Sequence, residues 1–236
     1  MKKLLMCLLV LPALLYGQAK QDVLIVGRLM PKFDKIDAFE KALANHNKKF
    51  HTTAPFKVTV FFVNTGLDAG SYQMSMGPVS WEEIDKRVPG DAHDADWKNN
   101  VLPLVQKVSN DSYLMYKPDM STIGFNDFAE KASIARYYYK PGCGPKTEEI
   151  FKGLKQYWEK DGATIAVYQT NSSGDPAFNL VFRHKQGWKE KAEGFHKSMK
   201  ELMGESAYNK FLENMNAIID HVTGETIYMR KDLSSN

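Results

Sequence analysis

The segment VFFVNTGLD at residues 60–68 recurs as VYQTNSSGD at residues 167–175, and this repeat decides the fold. The offset of 107 continues without a gap to Glu83 and Glu190, and it places Trp81 on Trp188. A later match, between residues 117–121 and 230–234, has an offset of 113 and implies a six-residue insertion in the second copy. Self-similarity at so long a period indicates two domain-sized halves and not a solenoid.

Residues 1–19 have the three parts of a secretory signal peptide. They begin with two lysines, continue with the apolar residues 4–16 and end in the small-residue sequence Gly17-Gln18-Ala19. The apolar part is shorter than the roughly 20 residues that span a bilayer. We therefore expect a secreted or periplasmic protein whose mature chain begins near Lys20. An uncleaved anchor and a buried first strand are the alternatives.

The expected mature chain is close to neutral, because removing residues 1–19 lowers the formal net charge from +3 to +1. Binding to nucleic acid normally requires a basic stripe, so we expect no nucleic-acid partner. No later segment has the length and apolarity of a membrane span. Cys143 would be the one remaining cysteine, which excludes an internal disulfide.

Each half is predicted to contain strand, helix, strand, strand, helix and strand, from its apolar periodicity and turn residues. Residues 118–131 are the predicted linker between a first unit at 20–117 and a second unit at 132–236. In the first half the predicted strands are residues 23–30, 57–63, 71–76 and 112–117. The first predicted helix runs through Ile36, Phe39, Leu43 and Phe50 and is capped by Asp34 or Asp37. Two further helices are predicted at residues 81–87 and 94–108. In the second half the predicted strands are residues 133–140, 164–169, 178–184 and 225–230, and the helical regions are 147–160 and 188–220.

The order βαββαβ is that of the ferredoxin-like unit, an antiparallel sheet with two helices on one face. The other face must be covered, and two fused copies can cover each other. The sequence therefore predicts an α+β fold in which two tandem ferredoxin-like units form an intrachain pseudo-dimeric eight-stranded α+β barrel.

With the strand-to-helix turn at residues 77–81, this order resembles the dimeric α+β barrel superfamily. That superfamily includes antibiotic-biosynthesis-monooxygenase-like and NIPSNAP-like domains. The resemblance implies the fold and carries over no catalytic residue. Members range from enzymes to proteins with no known activity, so the fold does not select a function.

Strand alternation predicts which side chains face the lumen of this barrel. Aromatic walls with a few convergent donors are typical of a small-molecule pocket, and several guanidiniums favour a carboxylate or another planar anion. The alternative is that the arginines reach water at strand ends and the tyrosines fill a closed barrel. The expected ligand-binding residues are Arg28, Arg136, Tyr138, Tyr168, Asn179 and Arg183. The expected apolar wall consists of Phe61, Tyr72, Met74 and Met76.

Residues 91–96 contain one histidine and three aspartates, which are ligand types that transition metals accept. The spacing matches no closed metal motif, and we interpret Asp91 or Asp94 as the N-cap of a helix. The six histidines are scattered and have no distinctive haem-ligand context. The sequence therefore assigns no metal site and no cofactor. Trp81 and Trp188 are predicted to be core anchors.

These observations predict an extracytoplasmic barrel protein that binds a small anionic or aromatic ligand. No Ser-His-Asp elbow, P-loop or Gly-rich dinucleotide turn is present, so no catalytic residue is assigned. Two alternatives remain open. The first is a cofactor-independent or haem-linked monooxygenase or oxidase that uses the lumen. The second is a structural or partner-binding protein with a filled barrel.

Overall fold

A computed structural model of the protein describes residues 22–88, 90–108, 112–171 and 175–235. The expected signal peptide therefore lies outside the described residues, as do Pro89 at the predicted helix break and part of the turn between the second-half strands.

The first half contains helices and strands in the predicted order, but the last helical region is divided and ends in an additional short strand. The elements are β1 (Val23–Pro31), α1 (Ile36–Phe50), β2 (Val58–Thr65), β3 (Tyr72–Val79), α2 (Trp81–Lys86), α3 (Asp91–Asp96), β4 (Val105–Val108) and β5 (Ser112–Tyr116). The second half comprises β6 (Lys131–Tyr139), α4 (Gly144–Asp161), β7 (Ile165–Asn171), β8 (Ala177–Arg183), α5 (Trp188–Glu193), α6 (Met199–Met203), α7 (Glu205–Ile218) and β9 (Ile219–Met229).

Antiparallel pairing joins eight strands of the described residues into a closed ring, in the order β1-β3-β2-β9-β6-β8-β7-β5 and back to β1. Each half has the same internal order, β5-β1-β3-β2 in the first and β9-β6-β8-β7 in the second. The halves are joined by the pairs β2–β9 and β5–β7. The short strand β4 pairs with the far end of β1. This arrangement confirms the predicted pseudo-dimeric eight-stranded α+β barrel.

The helices lie outside the barrel, and each half has its own core between helix and sheet. Phe39 and Leu43 of α1 are fully buried against the first-half strands. Phe151, Leu154 and Trp158 of α4 have the same role in the second half. Two smaller apolar clusters face the other side of the sheet, inside the ring. No helix among the described residues is long and apolar enough to cross a membrane.

The hairpins of the two halves differ by one residue, which the gapless repeat does not reveal. Phe61 pairs with Gln73 in the first half, and its counterpart Tyr168 pairs with Asn179 in the second. The offset is therefore 107 for the first strand of the hairpin and 106 for the second. The extra residue lies in the first-half turn.

A one-residue slip exchanges the two faces of a strand, so the prediction for β3 was wrong. Tyr72, Met74 and Met76 belong to the core beneath α1 and do not form a lumen wall. Their neighbours Gln73 and Ser75 line the lumen instead.

The predicted helix at 94–108 is also wrong in its second part. After α3, a π-helical turn (Trp97–Val101) and a 3-10 turn (Leu102–Leu104) follow. Pro103 cannot continue the hydrogen-bonding pattern of the helix, and the chain then extends as β4. Val108 is half-exposed and is not part of a helical stripe.

The predicted aspartate caps are absent from the described helix starts. The N-cap of α1 is Lys35 and the N-cap of α3 is Gly90, and neither has a side-chain cap bond. Asp91 and Asp94 lie in the first turn of α3, where the helix dipole favours acids. Trp81 does start a helix, but it is 39% exposed and rests on Tyr113, so it is not a core anchor.

Candidate functional site

A cavity of about 460 Å³ lies inside the ring of strands. This volume is within the range of about 300–1,000 Å³ that is usual for small-molecule pockets. Both halves contribute to its lining. Its apolar wall includes Leu24, Val26, Phe61, Leu114, Ala132, Ile134, Val181 and Ile227. All six residues expected to bind a ligand line it: Arg28, Arg136, Tyr138, Tyr168, Asn179 and Arg183.

A buried carboxylate, Glu225 of β9, connects the arginines of the two halves. Arg28 donates from Nη1 to Glu225 Oε2 at 2.9 Å and from Nη2 to Oε1. Arg136 donates from Nη2 to the same Oε1 atom. Glu225 is only 6% exposed. One anion therefore bridges two guanidiniums across the lumen.

Electrostatics keeps this network ionised. Burial raises the pKa of Glu225, but hydrogen bonds and charges from Arg136 and Arg28 outweigh it, and the pKa falls below the ordinary value. Burial lowers the pKa of Arg28, but Glu225 and Asp68 outweigh this effect, and the net shift is upward. A lowered carboxyl pKa makes Glu225 a weak base.

The two arginines that bind Glu225 differ in how many other hydrogen-bond partners they have. Arg28 also donates to Asp68 Oδ2 at 3.1 Å and to Gln73 Oε1 at 2.8 Å. Arg136 has one hydrogen-bond partner among the described residues, Glu225, although a guanidinium has five N–H donors. Arg136 is therefore the cation with more donors available for a ligand.

Arg183 has a different role, because it holds part of the predicted linker against the barrel. Its guanidinium donates to the carbonyl oxygens of Gly124, Phe125 and Asp127, and to Tyr168 Oη at 2.8 Å. The residue is 3% exposed, so it does not extend to water as the alternative interpretation of the arginines required. The predicted lumen position of Arg183 is correct, but its contacts are structural.

The remaining predicted residues lie at different places around the cavity. Asn179 donates from Nδ2 to Thr170 Oγ1 at 3.0 Å and is buried. Tyr138 stacks on His221, with 4.2 Å between the ring centroids. Burial raises the pKa of Tyr168, and the charge of Arg183 reduces this rise.

Sequence reasoning missed Glu225 because the last strand was predicted to begin there. The strand begins earlier, at Ile219, and pairing places Glu225 opposite Ile134. Alternation through Thr223, Glu225 and Ile227 was the available signal, since all three line the lumen. Gln73 was missed because of the hairpin slip.

Among the described residues that line the cavity, none is a histidine, cysteine or methionine, and the residue types that can ligate a haem iron are the tyrosines Tyr138 and Tyr168. Tyr168 Oη accepts a hydrogen bond from Arg183, and Tyr138 stacks on His221. In this part of the chain, the lumen therefore offers the haem-linked alternative only tyrosine ligands.

Several solved structures have a similar fold over nearly the whole chain. A monooxygenase-like protein from Fusobacterium nucleatum is 14% identical with a TM-score of 0.56, and 91% of this chain and 94% of that chain are covered. An anthrone oxidase-like protein is 12% identical with a TM-score of 0.55, covering 89% and 92%. A monooxygenase-like protein from Lactobacillus acidophilus is 11% identical with a TM-score of 0.51, covering 92% and 97%.

No family model matches the chain, and no curated protein is similar to it in sequence. At identities this low, the structural likeness concerns the fold alone. The chain has a dimeric α+β barrel fold, with both halves in one chain.

Proposed function

We propose that the protein is an extracytoplasmic barrel that binds a small molecule in its lumen. The observation that carries this proposal is the 460 Å³ cavity, whose apolar walls enclose a few fixed polar groups. A filled barrel, the structural alternative, would leave no such space.

The charges around the cavity favour an anionic ligand. Three guanidiniums and three carboxylates line the lumen, but only Glu225 among the carboxylates is buried, whereas Asp68 is partly exposed and Asp175 is exposed to solvent. Arg136 retains N–H donors, which suit a planar oxyanion. The aliphatic and aromatic walls suit a hydrocarbon ring. The ligand that fits this combination is a small aromatic molecule with a carboxylate or phenolate group.

The extracytoplasmic location is part of the proposal and rests on the tripartite pattern of residues 1–19. N-terminal sequencing of protein recovered outside the cytoplasm should begin near Lys20. Material from that compartment that still begins at Met1 would contradict cleavage.

Oxidation of the bound molecule is the second candidate. It is favoured by the oxidase-like and monooxygenase-like proteins that share the fold. Cofactor-independent oxidation generally requires a base that removes a proton from the substrate. Glu225 is a poor candidate for that role, because Arg136 and Arg28 lower the pKa of its carboxyl group and so make the carboxylate a weak base. Binding therefore ranks first.

A fluorescence titration with 1-anilinonaphthalene-8-sulfonate, an anionic aromatic probe, tests the binding site. We expect the chain from Lys20 to bind one probe molecule, and Val181→Trp, which fills the lumen, to abolish binding. Arg136→Gln should weaken binding about tenfold or more, because a charged hydrogen bond contributes about 1.5–3 kcal/mol. Arg87→Gln is the matched control, since Arg87 lies outside the barrel over Phe56.

Ser75→Phe is a second filling variant, in case Val181→Trp does not fold. Unchanged probe affinity in a folded filling variant would contradict lumen binding. Native mass spectrometry of protein from its own host should show a co-purifying small molecule. Incubating that molecule with the protein and O₂ separates the two candidates, since an unchanged mass supports binding and an added oxygen or lost hydrogen supports oxidation.

A further inference from the structure

Three histidines meet outside the barrel, where α3 packs against the end of α1. His46 lies near the end of α1, His51 is its C-cap residue and His93 lies in α3. One ring nitrogen of each lies within 4.8 Å of those of the other two. His46 and His51 are 1% and 4% exposed, whereas the His93 side chain is 17% exposed. The group is thus buried on two sides and reachable from the third.

The Nδ1 atom of each histidine is held by an oxygen acceptor. His46 Nδ1 lies 2.8 Å from Asp96 Oδ2, and His93 Nδ1 lies 2.9 Å from Asp94 Oδ1. His51 Nδ1 lies 3.1 Å from the carbonyl oxygen of Phe56. Because each partner is an acceptor, each Nδ1 carries the proton, and each Nε2 of a neutral ring presents a lone pair. Histidines that bind metals are held in this way.

The Nε2 lone pairs require either a hydrogen-bond donor or a cation as a partner. His46 Nε2 is buried and has no hydrogen-bond partner among the described residues. The Nε2 atoms of His51 and His93 lie 3.4 Å apart. Two lone pairs at that distance repel, and an unpaired buried nitrogen is itself destabilising. A cation between the three rings would remove both penalties.

The geometry and charge state suit a tetrahedral ion. Zn–N bonds of about 2.0–2.1 Å give N···N separations of about 3.3–3.4 Å in a tetrahedron, which matches the His51–His93 distance. The separations within the cluster extend to 4.8 Å, so the rings would move closer together around an ion. Asp94 and Asp96 offset the charge of the ion and the opposing charges of Lys49 and Arg87.

We propose that His46, His51 and His93 bind one zinc ion through their Nε2 atoms, with the fourth position left for water. Three neutral imidazoles suit zinc, whereas Mg²⁺ and Ca²⁺ prefer oxygen ligands. The site lies outside the lumen and does not depend on the proposed ligand-binding function.

The ion would also fasten α3 to α1. Helix α3 has six residues and no side-chain cap, so its own hydrogen bonds hold it weakly. A ligand that binds the folded chain and not the unfolded chain stabilises the fold. Zinc should therefore raise the melting temperature of the protein.

The test is a Zn²⁺ titration of the untagged chain from Lys20, in competition with a chromophoric chelator. We expect one Zn²⁺ per chain. His93→Gln should weaken binding by more than about 100-fold, and Asp96→Asn, which releases the His46 ring, by about 10–100-fold. His221→Gln and Cys143→Ser are matched controls outside the cluster and should bind like the unchanged protein. Co²⁺ bound to the same site should give the visible absorption of a tetrahedral complex.

Melting curves distinguish a lost ligand from a damaged fold. Without metal, His93→Gln should melt at the same temperature as the unchanged protein, since His93 is partly exposed. With zinc, the melting temperature should rise for the unchanged protein and stay constant for His93→Gln. If His93→Gln destabilises the metal-free chain, the same comparison of melting temperatures with and without zinc is made with Asp96→Asn. The proposal is overturned if the unchanged protein binds no Zn²⁺ at micromolar concentration, or if His93→Gln and His221→Gln bind it equally.

Discussion

The two halves of the barrel place the same residue types at most equivalent lumen positions, but the buried carboxylate, Glu225, is present in the second half only. Strand pairing relates Arg28 to Arg136, since these arginines lie opposite Gln73 and Asn179. The same pairing relates Glu225, which lies opposite Ile134, to Ser112, which lies opposite Val26. One acid of the second half therefore serves an arginine from each half. Fusion of the copies into one chain permits this asymmetry.

In the helical layers outside the barrel, the additional polar residues belong to the first half and not to the second. The first half carries the polar cluster of His46, His51 and His93 between its helices. The described residues of the second-half layer form an apolar core that includes Phe151 and Trp158. Glu225 of the second half therefore completes the lumen network, and the histidine cluster belongs to the helical layer of the first half.

The largest effect is expected from removing the shared carboxylate. Among the described residues, Glu225→Gln leaves Arg136 without its carboxylate partner and Arg28 with Asp68, and breaking a buried ion pair from one side costs about 3–5 kcal/mol. Urea unfolding should show this loss of unfolding free energy. Glu193→Gln, on the exposed face of α5, is the control and should change it by less than about 0.5 kcal/mol. A loss below about 1 kcal/mol for Glu225→Gln would mean that Glu225 does not link the halves.

The sequence predicts the barrel well because the repeat and the strand periodicity can both be recognised without knowledge of tertiary contacts. They place Arg136, Tyr168 and Asn179 in the lumen correctly. The same reasoning fails for Tyr72 because one extra turn residue reverses the faces of β3 while leaving its alternation intact.

The polar centres could not be predicted with the same success. The sequence pattern predicts that the last strand begins at Glu225, although β9 begins six residues earlier. The histidine cluster has no sequence motif, because His93 is separated from His46 by 47 positions and reaches it through the packing of α3 on α1. Contacts of this kind depend on tertiary structure and not on spacing.

The two equivalent arginines should differ in their contribution to stability. Arg28→Met leaves Asp68 and Gln73 without this donor and removes two hydrogen bonds to Glu225. Arg136→Met removes one hydrogen bond and leaves Glu225 paired with Arg28. Because a hydrogen bond to a charged group contributes about 1.5–3 kcal/mol, we expect Arg28→Met to cost about 2 kcal/mol more.

Urea unfolding of the two variants side by side measures this difference, and each serves as the control of the other. Equal losses of unfolding free energy would show that Arg28 and Arg136 contribute equally to stability, in spite of the extra contacts of Arg28. A larger loss for Arg136→Met would reverse the assignment of the more available donor.

The smallest effect, and the sharpest test of the asymmetry, is the pH dependence of the Glu225 network. The folded-state pKa of Glu225 is lowered from the ordinary value of 4.5, so the folded protein binds this proton less readily than the unfolded chain. The stabilisation is therefore complete above about pH 4.5 and is lost as the pH falls through the lower folded-state pKa. Each unit of lowering corresponds to about 1.4 kcal/mol. The unfolding free energies of the unchanged protein and Glu225→Gln should thus converge as the pH falls below about 4.5 and passes through the lowered folded-state pKa. Glu40 also has a lowered pKa, held down first by its hydrogen bonds to Arg230, so both proteins should carry Glu40→Gln in this comparison. A gap that stays constant over this range would show that the Glu225 carboxylate is not held ionised by the two arginines.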